Sequence, residues 1–337
     1  MLKWGVTMKA TARAHTNIAL IKYWGKRDES LFLPMNSSLS LTLDRFYTTT
    51  TVHFCQGLLG DVFLLNGHIG SETETLKITQ FLDRIREFSG KSLYAIVDST
   101  NKVPTAAGFA SSASGYAALA AAATKALGID LDSDALSQLA RQGSGSASRS
   151  IYGGFVEWEK GELDDGTDSL ARPIMNGQSW DISVLSVLVS VKPKKVSSRE
   201  GMKRVVETSP FYSNWLVEVE KDLILAKEAI RDRDFEALGR VVEANALKMH
   251  ATTLGANPPF IYWQGATLDV IQQVQELRLS GIQTFFTIDA GPNVKVLCQQ
   301  VDVEDVRKAL LSLHSVHAVD ICHPGPGVTY LLESKDR

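Results

Sequence analysis

Asp289 closes an apolar run, Phe285-Phe-Thr-Ile-Asp-Ala-Gly-Pro-Asn293, directly ahead of a Gly-Pro turn. An aspartate so placed serves either as a turn-former that accepts backbone hydrogen bonds or as a general base held on rigid backbone at a strand end. Lys22 stands in comparable surroundings beside Tyr23, inside what reads as an apolar strand, Thr16-Asn-Ile-Ala-Leu-Ile-Lys-Tyr-Trp-Gly-Lys26. Its ammonium must snorkel to water or meet an anion. Between them, Arg141-Gln-Gly-Ser-Gly-Ser-Ala-Ser-Arg-Ser150 sets Ser146 and Arg149 three residues apart, on one face if the segment is helical. A hydroxyl and a guanidinium on one face form a fork for a carboxylate or phosphate; the composition also suits a solvated serine-rich loop. A fourth stretch, Val103-Pro-Thr-Ala-Ala-Gly-Phe-Ala-Ser-Ser-Ala-Ser-Gly115, runs into an alanine-rich segment. Small residues let backbone N–H groups approach an anion, and Ser111-Ser112 fall where a helix dipole is positive. The Gly-Lys-Ser/Thr ending of a Walker loop is missing, and close helix packing accounts for the small residues equally well.

These groups need elements to hold them. Leu39, Leu41 and Leu43 alternate with polar residues, and Thr48 to Phe54 is rich in β-branched residues, so both read as strands. Asn66-Gly67 marks a tight hairpin turn. Helical spacing runs from Glu72 to Phe88, with Gly90 just past its end. A strand at Leu93 to Asp98 precedes the small-residue stretch; helices at Ser112 to Leu127 and Ser133 to Arg141 follow, then a strand at Gly154 to Glu159 and a polar loop from Lys160 to Ser169. Beyond the apolar Ile182 to Val191, the segment Lys192-Pro-Lys-Lys-Val-Ser-Ser-Arg199 reads as a hinge. Helices are expected at Phe211 to Arg231, Phe235 to His250, Gly265 to Leu279 and Val303 to Leu313. Strands are expected at Ile282 to Ile288, Val294 to Cys298, Ala318 to Ile321 and Val328 to Leu332. Strands and helices mix without a βαβ repeat, which predicts an α+β protein of two layered domains, residues 1–191 and 192–337.

Composition narrows the partners. A chain of 337 residues, 44% hydrophobic and 22% charged, is ordinary for a globular protein. A net charge of -3 spread along the chain gives no field for nucleic acid and favours a small-molecule partner. The start lacks a signal-peptide core and no apolar run reaches a membrane span, so the expectation is a cytoplasmic protein with no membrane partner. Cys55, Cys298 and Cys322 are odd in number and scattered, which suits a reducing compartment. His314, His317, Cys322 and His323 lack a recognised metal spacing, so no residue is assigned as a direct metal ligand.

Six segments together resemble one family. Pro104-Thr-Ala-Ala-Gly-Phe-Ala-Ser-Ser-Ala113 resembles the ATP-binding P-x-x-x-G-L-x-S-S-A motif of the GHMP small-molecule kinases, with Phe109 in place of the usual Leu. Asn17-Ile-Ala-Leu-Ile-Lys-Tyr-Trp-Gly-Lys-Arg-Asp28, Asn36-Ser-Ser-Leu-Ser40, Gly143-Ser-Gly-Ser-Ala-Ser-Arg149, Met249-His-Ala-Thr252 and Thr287-Ile-Asp-Ala-Gly-Pro-Asn293 resemble the diphosphomevalonate decarboxylases within that superfamily. The resemblance implies a two-domain GHMP-kinase-like fold: an N-terminal half like ribosomal protein S5 domain 2 that binds ATP, a ferredoxin-like C-terminal half, the site between them, and a homodimer. It implies ATP and Mg²⁺ as cofactors and mevalonate 5-diphosphate as substrate, phosphorylated at its 3-hydroxyl and then decarboxylated to isopentenyl diphosphate.

Carried onto this sequence, the resemblance makes Asp289 the catalytic aspartate, Arg149 the holder of the substrate carboxylate and Lys22 the lysine near the reacting groups. Ser144 and Ser146 then contact substrate, and Tyr23, Lys26, Ser198 and Arg199 its diphosphate. Lys77 stands where some relatives have arginine, keeping the charge and losing the bidentate fork. Pro104, Ala107, Gly108, Ser111 and Ser112 would line the nucleotide, with Asn101 implied by position alone. Alternatives on the same scaffold are a 5-phosphomevalonate decarboxylase and a kinase that stops at the 3-phosphate; a catalytically silent binding protein is a third reading.

Overall fold

The computed structural model describes residues 8–102, 111–192 and 194–332. In chain order, the first half comprises β1 (Lys9–Ile21), β2 (Lys26–Asp28), β3 (Leu33–Pro34), β4 (Ser38–Cys55), β5 (Val62–Leu65), β6 (His68–Ile69) and α1 (Glu72–Ser89). Then come β7 (Tyr94–Lys102), α2 (Ser111–Ala126), α3 (Ser133–Arg141), a 3₁₀ turn (Gly145–Ile151), β8 (Phe155–Trp158), β9 (Ala171–Met175) and β10 (Ile182–Leu188). Local chemistry explains several of these limits. Asn66 and Gly67 both take positive φ (52° and 78°), as a two-residue turn that follows strand twist requires. Ser71 and Glu74 form a capping box at the start of α1, and Gly90 ends it in the left-handed conformation. Asp132 caps α3 through the Ala135 N–H.

The second half comprises α4 (Ser198–Thr208), α5 (Tyr212–Asp232), α6 (Phe235–Leu254), α7 (Gly265–Leu279), β11 (Thr284–Ile288), β12 (Val294–Gln299), α8 (Val303–Leu311), β13 (Ala318–Cys322) and β14 (Thr329–Leu331). The supposed hinge is only partly a linker: its last two residues, Ser198 and Arg199, open α4, which Ser197 caps through the Glu200 N–H. Charge and a nearby proline hid a helix whose first turn is polar.

An eight-stranded sheet has β1 and β4 as its antiparallel spine, with β7 beside β4 and β8 and β9 on the far segment of β4. A four-stranded antiparallel sheet follows the order β11-β12-β10-β13. The chain crosses between them twice: β10 pairs with β12 and β13, and β14 returns to pair with β1. The middle of helix α2 is buried all round, Ala117 to Ala123 being 0–2% exposed against the large sheet, so its alanines serve close packing. Helices α7 and α8 cover the small sheet. The α5–α6 hairpin shares one core with Ile18, Leu20, Leu39 and Leu41 of the large sheet and Phe285 and Leu297 of the small one. That shared core fixes the end of β1 against the end of β11. Among the described residues no helix is long and apolar enough to cross a membrane.

Candidate active site

Strand β1 ends at Ile21, so Lys22 lies just past the strand rather than within it. Its buried ammonium reaches Asp289 Oδ1 at 2.7 Å and the Ala19 carbonyl at 2.9 Å. Asp289 follows the fully buried β11. The turn beyond it is closed through the backbone, Gly291 N–H to Asp289 C=O at 2.7 Å, which leaves the carboxylate to Lys22. The Lys22 side chain is 3% exposed and that of Asp289 33%, so the pair is closed on one side and open on the other. Burial alone would push the Asp289 carboxyl up, but Lys22, Lys295 and Arg149 outweigh it and hold the group below its ordinary value. Burial pulls the Lys22 ammonium down, opposed by Asp289.

Arg149 lies in the 3₁₀ turn, where three residues per turn stack Ser146 over it. Its Nη1 donates to Ser38 Oγ at 2.6 Å, and its Nε and Nη2 donate to Asn17 Oδ1 at 3.4 and 3.3 Å. The Asn17 amide is oriented by donating to the Ser146 carbonyl and the Ser150 hydroxyl. A guanidinium carries five N–H groups, so these contacts leave one N–H on each terminal nitrogen. Arg149 is 2% exposed and has no carboxylate within ion-pair distance among the described residues. Burial draws it down to about 10, against the pull of Asp289, so it stays charged at neutral pH. The turn can lie this low because residue 145 is glycine: a Cβ there would stand 2.7 Å from Trp158 and 3.1 Å from Tyr23.

Tyr23 packs edge-on against Trp158, and its buried hydroxyl has no partner among the described residues. The Lys26 ammonium and the Arg199 guanidinium share the Phe32 ring, at 4.3 and 5.3 Å from its centre; Lys26 also pairs with Glu29. Ser198 accepts from Lys194 Nζ at 2.7 Å. Lys77 is exposed on α1, seven residues before Arg84, which reaches Gln142 and the Ser30 carbonyl; no contact joins Lys77 to the others. Ser111 and Ser112 are exposed at the start of α2, and Ser144 Oγ donates to Ser112 Oγ at 3.3 Å while lying 3.4 Å from Ser146 Oγ. Asn101, next to last in β7, accepts from Thr48, whose hydroxyl also meets Ser114 of α2. Pro104, Ala107 and Gly108 lie outside the described residues.

Three groups that touch or face the Lys22–Asp289 pair escaped the sequence reading. Lys295 is 1% exposed on β12, and burial pulls it down to about 8 while Asp289 opposes. It carries the same signal as Lys22, one lysine in an apolar strand. Lys194 donates to the Ala290 carbonyl at 3.1 Å but read as part of a linker. Asn245, midway along α6, accepts from the Lys22 N–H at 2.8 Å, a contact no spacing announces. His250 of α6 donates from Nε2 to the Ile288 carbonyl at 3.3 Å and is held neutral, at about 3, mainly by burial. Lys22, Lys295, Arg149 and Lys194 thus surround one carboxylate, a field suited to a polyanion. Among the described residues no group of three His, Cys, Asp or Glu side chains gathers as for a metal ion.

A family model described as the diphosphomevalonate decarboxylase-like N-terminal domain matches residues 14–171, and one described as the mevalonate 5-diphosphate decarboxylase C-terminal domain matches residues 184–323. The diphosphomevalonate decarboxylase of Bos taurus is 40% identical over 308 residues, covering 85% of this chain and 76% of its own. A structure of the mevalonate diphosphate decarboxylase from Staphylococcus aureus is 47% identical with a TM-score of 0.92, covering 96% of this chain and 98% of its own. A structure described as MDDEF in complex with MVAPP, AMPPCP and magnesium is 51% identical with a TM-score of 0.90, covering 96% and 98%. Both halves of the chain match, and the matched spans include the residues that converge on Asp289: the chain belongs to the diphosphomevalonate decarboxylase family.

Proposed function

We propose that the chain catalyses the ATP-dependent decarboxylation of mevalonate 5-diphosphate to isopentenyl diphosphate, with ADP, phosphate and CO₂ as co-products. The observation that carries this reading is Arg149: a buried cation with, among the described residues, one free N–H on each terminal nitrogen and no acid partner, set beside a carboxylate already paired to Lys22. An uncompensated buried charge is costly, and a substrate carboxylate supplies both its counter-charge and its bidentate partner.

Hydroxide is a poor leaving group and phosphate a good one, so phosphorylating the 3-hydroxyl prepares the elimination. Asp289, kept ionised by its cationic neighbours, accepts or orients the proton of that hydroxyl as it attacks the γ-phosphate. Lys22 steadies the carboxylate and faces the charge that builds during transfer. Arg149 holds the carboxylate so that the C–C bond breaks opposite the departing phosphate. Ser144 and Ser146 contact the substrate; Tyr23, Lys26, Lys77, Ser198 and Arg199 are assigned to its diphosphate. The nucleotide is assigned to Asn101, Ser111 and Ser112, together with Pro104, Ala107 and Gly108.

Mg²⁺ takes hard oxygen ligands and commonly rides on substrate phosphates, so ATP would carry it, and the hydroxyls of Ser112 and Ser144, 3.3 Å apart, would be the oxygen donors offered to those phosphates. When bound, the ion lowers the charge of the transferring group. The assignment extends to a homodimer, which rests on the family resemblance, and to a cytoplasmic enzyme whose ATP-binding domain ends near residue 191, where the proline- and charge-bearing segment begins.

The diphosphate assignment is tested by comparing mono- and diphosphorylated mevalonate with CO₂ trapped. The Tyr23 hydroxyl and the Lys26 and Arg199 cations predict a kcat/KM higher for the diphosphate by roughly 10²–10⁴-fold. Equal turnover of the two would contradict it.

A further inference from the structure

Because β1 stops at Ile21, neither the N–H nor the C=O of Lys22 belongs to the sheet ladder. Two asparagines hold that peptide instead: Lys22 N–H donates to Asn245 Oδ1 at 2.8 Å, and Asn36 Nδ2 donates to the Lys22 carbonyl at 2.8 Å. Asn245 is 0% exposed. Its Nδ2 donates to Asp222 Oδ2 of α5 at 2.9 Å, and Asp222 Oδ1 accepts from Lys248 Nζ at 2.8 Å. An ionised carboxylate only accepts, so Asp222 dictates that the amide end of Asn245 faces it and the carbonyl end faces Lys22. Five residues further along the same helix, His250 donates to the carbonyl of Ile288, the residue before Asp289. One rigid element therefore grips the backbone beside both members of the Lys22–Asp289 pair, which are 267 positions apart in sequence.

We propose that Asp222 and Asn245 are positioning residues: by fixing the Lys22 backbone to α6, they set where its ammonium meets Asp289, so a hairpin that touches no reacting group gauges the geometry of phosphoryl transfer. The inference rests on the decarboxylase reading above. The charged and titratable groups facing Asp289 are Lys22 after β1, Lys295 on β12, Arg149 in the 3₁₀ turn, Lys194 after β10 and His250 on α6. Of these Lys22 makes the ion pair, so withdrawing it moves the carboxyl toward higher pH.

The test is the pH profile of kcat/KM for ATP-dependent CO₂ release by the full chain. Asp222→Asn keeps the shape but cannot satisfy both neighbours. If its amide accepts from Lys248, its NH₂ meets Asn245 and turns the Asn245 NH₂ toward the Lys22 N–H. The expected result is a folded variant with KM for ATP near wild type, kcat down about tenfold and the acidic limb moved up by about one pH unit. Asn245→Ser, too short to span both partners, gives the same direction and carries the test should Asp222→Asn fail to fold. A merely structural role would lower the melting temperature and the active fraction while leaving the acidic limb in place. A folded variant with wild-type kcat and limb overturns the inference alone; a wild type that releases no CO₂ overturns the decarboxylase reading and the inference with it.

Discussion

Arg149 shows how a single residue can carry a functional argument. Its guanidinium is buried, braced by Ser38 and Asn17, and among the described residues still has an N–H to spare on each terminal nitrogen. Bracing of this kind fixes direction as well as charge, and direction is what a lysine lacks. Arg149→Lys should therefore leave the KM for ATP near wild type and cut kcat/KM for mevalonate 5-diphosphate by roughly a hundredfold, the scale of a small misplacement at a reacting centre. A loss below threefold in steady-state assays would show that charge alone suffices there. Asp289 and Lys22 make the complementary case. Each was legible as an isolated charge in an apolar run, but spacing says nothing of residues so far apart, and only the family resemblance brought them to one site before the 2.7 Å contact.

At the scale of elements, the 3₁₀ turn is the piece on which most depends. It stacks Ser146 over Arg149 and rests on Tyr23 and Trp158 through Gly145. Gly145→Ala must push one of those rings aside, at a cost of about 1–3 kcal/mol in stability. It should also raise the KM for mevalonate 5-diphosphate more than that for ATP, measured by denaturant melts and initial rates. Elements with local signals were readable from sequence: α3 and α7 fall at the expected residues, and Asn66-Gly67 makes the expected hairpin. Others were hidden for physical reasons. The start of α4 was masked by charge, the 3₁₀ turn by serine and glycine that also suit a loop, and the end of β1 by an apolar run that continues past the last paired residue. The crossing of β10 into the small sheet depends on partners more than a hundred residues away, which no local pattern encodes.

Over the whole molecule, the net charge of -3 conceals a local excess of positive charge, with Lys22, Lys295, Lys194 and Arg149 around one carboxylate and Lys26 and Arg199 about a shared ring. Two sheets and a helical hairpin with a common core hold these charges together. Such a site is incomplete without polyanionic ligands, and substrate and ATP together supply carboxylate and phosphates. The central claim is that phosphoryl transfer through Asp289 prepares the loss of CO₂. It is tested most directly by counting ADP, phosphate and CO₂ separately from mevalonate 5-diphosphate and ATP, for the wild type and for Asp289→Asn. Equal amounts of all three from the wild type, and loss of all three together in a folded Asp289→Asn, are expected. ADP without CO₂ from the wild type, or near-normal ADP release from the variant, would contradict the account.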